Sequence, residues 1–224
     1  MTIVCWSVKG GSGTTVTAAS LARVLADRDE QGALLVDTQG DCLLVLGRED
    51  PVERGVRTWL ASDDDVTASA LDLLTVDLGY NLSVLPAGDL PRQAPNIERW
   101  NDLGTYLTSR ARSQHVVVDL GTVSPGARSG RQRLLESATT SLLVIRPCYL
   151  AIRRAIDFPI RPTGIVLISE DDRSLTASDV SAALGVDVIA TVRVDPRIAR
   201  AVDSGLLGER VPRPLMRAYR HVAA

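Results

Sequence analysis

The chain has 224 residues, enough to bury the core of a sizeable α/β domain. Hydrophobic residues make up 45% and charged residues 23%, which excludes a disordered chain. The net charge of -2 excludes a global pull toward nucleic acid or an acidic membrane, so any such contact needs a local patch.

Short β-branched runs alternate with helical stretches along the whole chain. Thr2–Val8 reads as a buried strand, and Val16–Asp29 as a helix with Leu21, Val24 and Leu25 on one face. Gly32 breaks the pattern before a strand at Ala33–Val36. Gly55–Ala61 and Val66–Leu74 read as helical, the second in part extended, and the acidic run Asp63-Asp64-Asp65 as a solvated loop or helix start. Leu82–Leu85 is the next strand, Ile97–Ala111 a helix, and His115–Asp119 an apolar strand ending in a carboxylate. Ser141–Ile145 and Gly164–Ile168 are strands, with a short helix near Ala151–Ile156 between them. Thr176–Leu184 is a helix capped by Thr176 or Ser178, Val188–Val192 the last strand, and Pro196–Asp203 and Leu215–Val222 closing helices.

This βα alternation predicts an α/β fold, a mainly parallel sheet with helices on both faces. No repeat, linker or shift in composition divides residues 1–224, so one domain is expected. In such sheets ligands gather at the carboxyl ends of the strands. Cys5, Cys42 and Cys148 have no metal-site or redox spacing and read as reduced, buried thiols. The chain begins directly in a strand-like run, with no basic leader and no bilayer-length apolar segment. A cytoplasmic protein is therefore expected.

Between the first strand and the first helix lies Lys9-Gly10-Gly11-Ser12-Gly13-Thr14-Thr15. Its glycines free the backbone to wrap an anion, and the helix that follows points its N-terminus at it. Lys9 is the only lysine of the chain. The alternative reading is a glycine turn that only joins strand to helix.

This segment resembles the signature of the ParA/MinD family of deviant Walker ATPases, Lys-Gly-Gly-any-Gly-Lys-Thr, at every fixed position but one. The resemblance implies a P-loop fold with ATP and Mg2+ as ligands. It implies that Lys9 reaches across a homodimer to the partner's nucleotide, and that Gly10, Gly11, Ser12, Gly13, Thr14 and Thr15 hold phosphate, with Thr15 on the metal. The departure is Thr14, which stands where the main Walker lysine places its charge on the phosphates. A hydroxyl donates one hydrogen bond and carries no charge.

Val36-Asp37-Thr38-Gln39-Gly40-Asp41 resembles the family's second motif. The resemblance puts Asp37 near the metal, and Gln39 or Asp41 where a second aspartate positions the attacking water. A glutamine can orient water but is not a base. Read from residues alone, Asp37 equally suits the capping of a short helix. Asp119 and Gly121 resemble the Walker B strand end and the start of its switch, which implies a metal-bound water on Asp119. The Gly-, Ser- and Arg-rich stretch Thr122–Arg133 fits a mobile switch.

Ser169 stands where relatives place a base-contacting Asn, and Val194-Asp195-Pro196 resembles the loop beside the base. The likeness covers essentially the whole chain and lies nearest the CpaE/TadZ branch. It implies a nucleotide-dependent dimeric switch that positions or partitions cargo such as a chromosome, plasmid, septum or pilus machinery. Hydrolysis would then be weak or dependent on a partner. The alternative is a catalytically inactive pseudo-ATPase scaffold, favoured by Thr14 and Gln39. Iron-protein relatives need cysteines at other loop positions, and tyrosine kinases of this fold need a C-terminal tyrosine cluster where this tail has Tyr219 alone.

From Arg193 to the C-terminus seven arginines face three carboxylates. They fit either non-specific DNA contact or plain solvation of outer helices. Leu215–Val222 lacks Trp and Phe, and reads as a docked helix in preference to a membrane anchor.

Overall fold

The computed structural model describes residues 1–49, 53–62, 66–126, 129–171 and 173–222. Asp63-Asp64-Asp65 lies outside the described residues. In chain order the elements are β1 (Thr2–Ser7), α1 (Thr14–Arg28), β2 (Ala33–Asp37), α2 (Cys42–Val45), α3 (Val56–Leu60), α4 (Leu71–Leu74), β3 (Val76–Asp77) and β4 (Leu82–Leu85). Then follow α5 (Ile97–Arg110), β5 (His115–Thr122), α6 (Gly130–Ser137), β6 (Thr140–Ile145), α7 (Tyr149–Ile156), β7 (Gly164–Ser169), α8 (Ala177–Leu184), β8 (Val188–Arg193), α9 (Pro196–Asp203) and α10 (Arg213–Tyr219).

Eight strands form one sheet in the order β3-β4-β2-β5-β1-β6-β7-β8. Every pairing is parallel except the short edge strand β3 against β4. The chain leaves β1 toward β2 on one side and later fills β6, β7 and β8 on the other. The turn after β1 therefore sits where the strand order reverses, the place at which open α/β sheets bind ligands.

Residues alternate along β1. Ile3 and Cys5 face a core with Leu21, Leu25 and Tyr219, while Val4 and Trp6 face one with Trp59, Leu103 and Phe158. Helices thus cover both faces, as the βα alternation predicts. Trp6 is fully buried, donates from Nε1 to Ser141 Oγ at 2.9 Å and packs its ring 4.6 Å from that of Phe158. On the opposite face α10 docks through buried Leu215 and Tyr219, whose hydroxyl donates to Thr17 Oγ1 at 3.1 Å. The docked reading of the last helix holds, over Arg213–Tyr219. Among the described residues no helix is long and apolar enough to cross a membrane.

The structure refines three expectations. Val66–Leu74 is a 3-10 turn at Ala68–Ala70 followed by α4, and the chain becomes extended only at β3. The stretch Thr122–Arg133, expected as a mobile switch, begins and ends in regular structure. β5 runs on to Thr122, and α6 begins at Gly130 with a Ser129/Gln132 capping box. Of the two candidate caps for α8, Thr176 is the one that accepts the Asp179 amide.

The thiols divide by burial. Burial pushes the Cys5 and Cys42 thiols far up, whereas Cys148 is half-buried. Alkylation of the native protein at pH 8 is expected to label Cys148 first and the other two only on unfolding. Peptide mass mapping checks the order, and early labelling of Cys42 would contradict it.

Candidate functional site

The register of β2, β5 and β1 builds the site. Asp37 pairs with Asp119 across β2 and β5, and Cys5 pairs with Asp119 across β1 and β5. A bulge in that ladder then sets Trp6 against Gly121. Two carboxylates therefore meet, both fully buried, beside the turn that leaves β1.

That turn is held by Ser12 Oγ donating to the Lys9 carbonyl at 2.7 Å. Gly11 and Gly13 take left-handed φ of 75 and 87°, conformations that L side chains resist. The backbone amides of Gly10, Gly11, Gly13, Thr14 and Thr15 find no acceptor among the described residues. Unpaired amides in a row at the start of a helix form a concave site for an anion. A Cβ on Gly11 would meet nothing within 4 Å, and one on Gly10 only Thr122 Oγ1 at 4.0 Å, so the space over the turn is open.

Asp37 holds the turn after β2. Its Oδ1 accepts from the amides of Gln39 and Gly40, both at 2.7 Å, and its Oδ2 from the amide of Cys42 at 2.9 Å. The capping reading is thus correct, and it leaves Oδ2 one further lone pair. Asp119 Oδ1 accepts from the Gly121 amide at 3.1 Å. Burial pushes the Asp119 carboxyl up to about 6. The Thr15 hydroxyl opposes this by hydrogen bonding, and the charge of Asp37 adds to it. Two carboxylates buried side by side suit a bound cation.

One ligand atom each from Asp37, Cys42 and Asp119 lies within 4.8 Å of the others. The two carboxylates and the Thr15 hydroxyl are the hard oxygen donors that Mg2+ takes. The Cys42 thiol, kept protonated by burial first and the nearby acids second, points Sγ at Asp119 Oδ2 from 3.8 Å. The donor set fits Mg2+, with the thiol as a neighbour of the carboxylates and not as a ligand.

Gln39 is engaged elsewhere. Its Nε2 donates to the Thr38 carbonyl, Thr38 Oγ1 and the Leu120 carbonyl at 3.0, 2.9 and 3.2 Å. A Cβ on Gly121 would fall 2.3–2.5 Å from the Gln39 side chain, and Gly121 has a left-handed φ of 65°. The left-handed backbone favours glycine here, and the Gln39 side chain packs closely over it. Asp41 is exposed at the start of α2.

Beside Gly13 opens a largely apolar cleft of about 210 Å³, lined by Ile168, Val192, Val194, Asp195, Ile198 and Tyr219 among others. Asp195 is among the residues expected here. Ser169 and Pro196 do not line it, although Ser169 bonds through its carbonyl to the Val194 amide and Pro196 opens α9. Ile168 and Ile198 are the residues that sequence reasoning missed. The inward alternation of β7 was the available signal for the first. Asp195 is held down to about 2 by its side-chain and backbone bonds from Arg197.

Lys9 is half-buried, and its ammonium has no hydrogen-bond or ion-pair partner among the described residues.

A family model described as the CobQ/CobB/MinD/ParA nucleotide binding domain matches residues 3–207. The chain belongs to this family. No curated protein matches it. Among solved structures, the chain is similar to a ParA family ATPase from Chlorobium tepidum TLS at TM-score 0.75 and 20% identity, covering 97% of this chain and 95% of that one. It is similar to the MinD cell division protein of Aquifex aeolicus at TM-score 0.73 and 21% identity, covering 99% and 96%. A third is the septum site-determining protein MinD of Pyrococcus horikoshii OT3, complexed with Mg-ADP, at TM-score 0.70 and 21% identity, covering 98% and 93%. At these identities the likeness establishes the ParA/MinD P-loop fold.

Proposed function

We propose that residues 1–224 act as one Mg-ATP-binding unit whose nucleotide state governs dimerisation and, through it, the positioning of cellular cargo. The observation that carries this reading is the row of unpaired amides in the glycine turn, set beside the buried Asp37–Asp119 pair. Amides provide for phosphate and carboxylates for the metal, so each half makes sense of the other.

Thr15, Asp37 and Asp119 would hold Mg2+, which when bound supplies the positive charge that the two acids and the phosphates share. The cleft beside Gly13 would take the base against Ile168 and Ile198. Lys9, with no partner among the described residues, would reach the nucleotide of a second copy. ATP is then expected to raise the dimer fraction in sedimentation, and Lys9→Ala to abolish the rise. An unchanged monomer at saturating Mg-ATP would contradict the dimer switch.

A second reading, a scaffold that binds without turnover, is favoured by the commitment of the Gln39 amide to three oxygens. Thr14, buried at the start of α1, adds no charge. Phosphate release measured with and without Thr14→Lys separates the readings, because turnover by the wild type rejects the scaffold. The neighbouring MinC:MinD complex of Aquifex aeolicus suggests a protein adaptor as the partner class. Of the C-terminal arginines, Arg193 and Arg197 pair with Asp171 and Asp195, which favours solvation over DNA contact at those two positions.

A further inference from the structure

Two guanidinium groups stand near the carboxylate pair without an acidic partner among the described residues. Arg57, on α3, donates from Nε to the Thr38 carbonyl at 2.9 Å and from Nη2 to the Gln39 carbonyl. Arg131, in the first turn of α6, donates from Nη1 to the Thr122 carbonyl at 3.1 Å. Each arginine thus clamps the segment that leaves one of the two carboxylate-bearing strands. No carboxylate among the described residues lies within ion-pair distance of either one.

The two cations also sense each other. Burial lowers the Arg131 pKa most, the charge of Arg57 lowers it further, and Asp119 works the other way. A partly desolvated cation beside a like charge, offset only in part by Asp119 and carbonyl dipoles, is unfavourable until an anion arrives. The position of Arg131 says which anion. Its anchor, Thr122, places Oγ1 3.3 Å from Ser7 Oγ, at the end of β1. The same oxygen flanks the open space over Gly10. That is the mouth of the turn whose motif carries Thr14 in place of a cation.

We propose that Arg131, with Arg57 behind it, makes the charged contact to the terminal phosphate of a bound nucleoside triphosphate that Thr14 cannot make. The inference rests on the nucleotide reading above and adds to it a preference for triphosphate over diphosphate. A guanidinium suits the task. It cannot lose its charge, and with one donor on Thr122 it keeps others for a two-point grip on phosphate oxygens.

The test is calorimetric titration of the full chain with Mg2+ and either ADP or a non-hydrolysable ATP analogue, comparing wild type with Arg131→Ala, Arg131→Lys and Arg57→Ala. Arg131→Ala is expected to weaken the triphosphate analogue by about ten-fold or more, the loss of a charge-assisted bond, and ADP by less than about two-fold. Arg131→Lys should recover part of the loss, and Arg57→Ala should give a smaller loss in the same direction. An unchanged triphosphate affinity in Arg131→Ala, or equal losses for both nucleotides, overturns the proposal and leaves nucleotide binding standing. A wild type that binds neither nucleotide overturns the nucleotide reading itself and this inference with it. If Arg131→Ala does not fold, Arg131→Gln and Arg131→Lys carry the same comparison.

Discussion

Replacing Asp119 by asparagine should raise the melting temperature of the Mg-free protein at pH 8, and replacing Asp37 by alanine should lower it. The two acids face each other across one register pair, yet they do opposite things for the empty fold. Asp119 carries a carboxyl raised from 3.8 to about 6, by burial first. The folded state therefore holds its proton more tightly than the unfolded chain. Stability is greatest below the unfolded pKa and falls as pH rises through the folded one. Above that window the ionised acid costs about 3 kcal/mol, from roughly two pKa units. An asparagine keeps the oxygen that accepts from Gly121 and removes the charge. The expected gain is roughly 6–12 °C at pH 8 and near zero at about pH 4. Asp37→Ala instead orphans the amides of Gln39, Gly40 and Cys42. Relief of the charge on Asp119 offsets part of that loss, for a net cost of about 2 kcal/mol. Thermal denaturation in a chelating buffer from pH 4 to 8 measures both. A gain for Asp119→Asn that is independent of pH would refute the charge argument.

Gly55→Ala should be among the most damaging single methyl groups that the chain can receive. The backbone there is extended, a conformation open to any residue, so the obstacle is space. An added Cβ would fall 2.3 Å from the Pro86 carbonyl oxygen, 2.4 Å from the Ala87 carbonyl carbon and 2.4 Å from the Gly88 amide nitrogen. All three are backbone atoms and cannot swing aside. The same junction carries the bonds from Val56 N to Pro86 O and from Arg57 N to Ala87 O, both 2.9 Å. Opening it would displace Arg57 from the Thr38 and Gln39 carbonyls. A loss of about 3 kcal/mol or more is expected, read by denaturant unfolding. Arg57→Ala, which leaves the junction intact, should cost clearly less. Equal costs for the two variants would mean that the guanidinium contacts and not the close approach hold this corner.

The parts of this molecule that are local in sequence were legible there. The strand, glycine turn and helix at Thr2–Arg28 announce themselves by pattern, and so do the apolar runs ending at Asp37 and Asp119. The helix at Gly130–Ser137 was missed because it opens on Gly-Arg-Gln-Arg, which reads as loop. Its signal was the Ser129/Gln132 capping box, and its glycine is there because the Trp100 ring occupies the place of a Cβ. Arg131 lay within the stretch read as a switch but was not marked as a site residue, and Arg57 carried no signal. They lie far apart in the chain among many arginines, and only the adjacency of β2 and β5 brings their loops together. Cys42 read only as a buried thiol, and it is the turn from β2 into α2 that brings its Sγ to 3.8 Å from Asp119 Oδ2.

The central claim is that the glycine turn and the two buried acids form one Mg-nucleotide site. Titrating the wild-type chain with a non-hydrolysable ATP analogue, with Mg2+ and again in chelator, tests it most directly. The expected result is saturable binding of one nucleotide per chain that weakens strongly when Mg2+ is withdrawn. Binding that ignores Mg2+ would separate the acids from the site, and no binding in either condition would contradict the account.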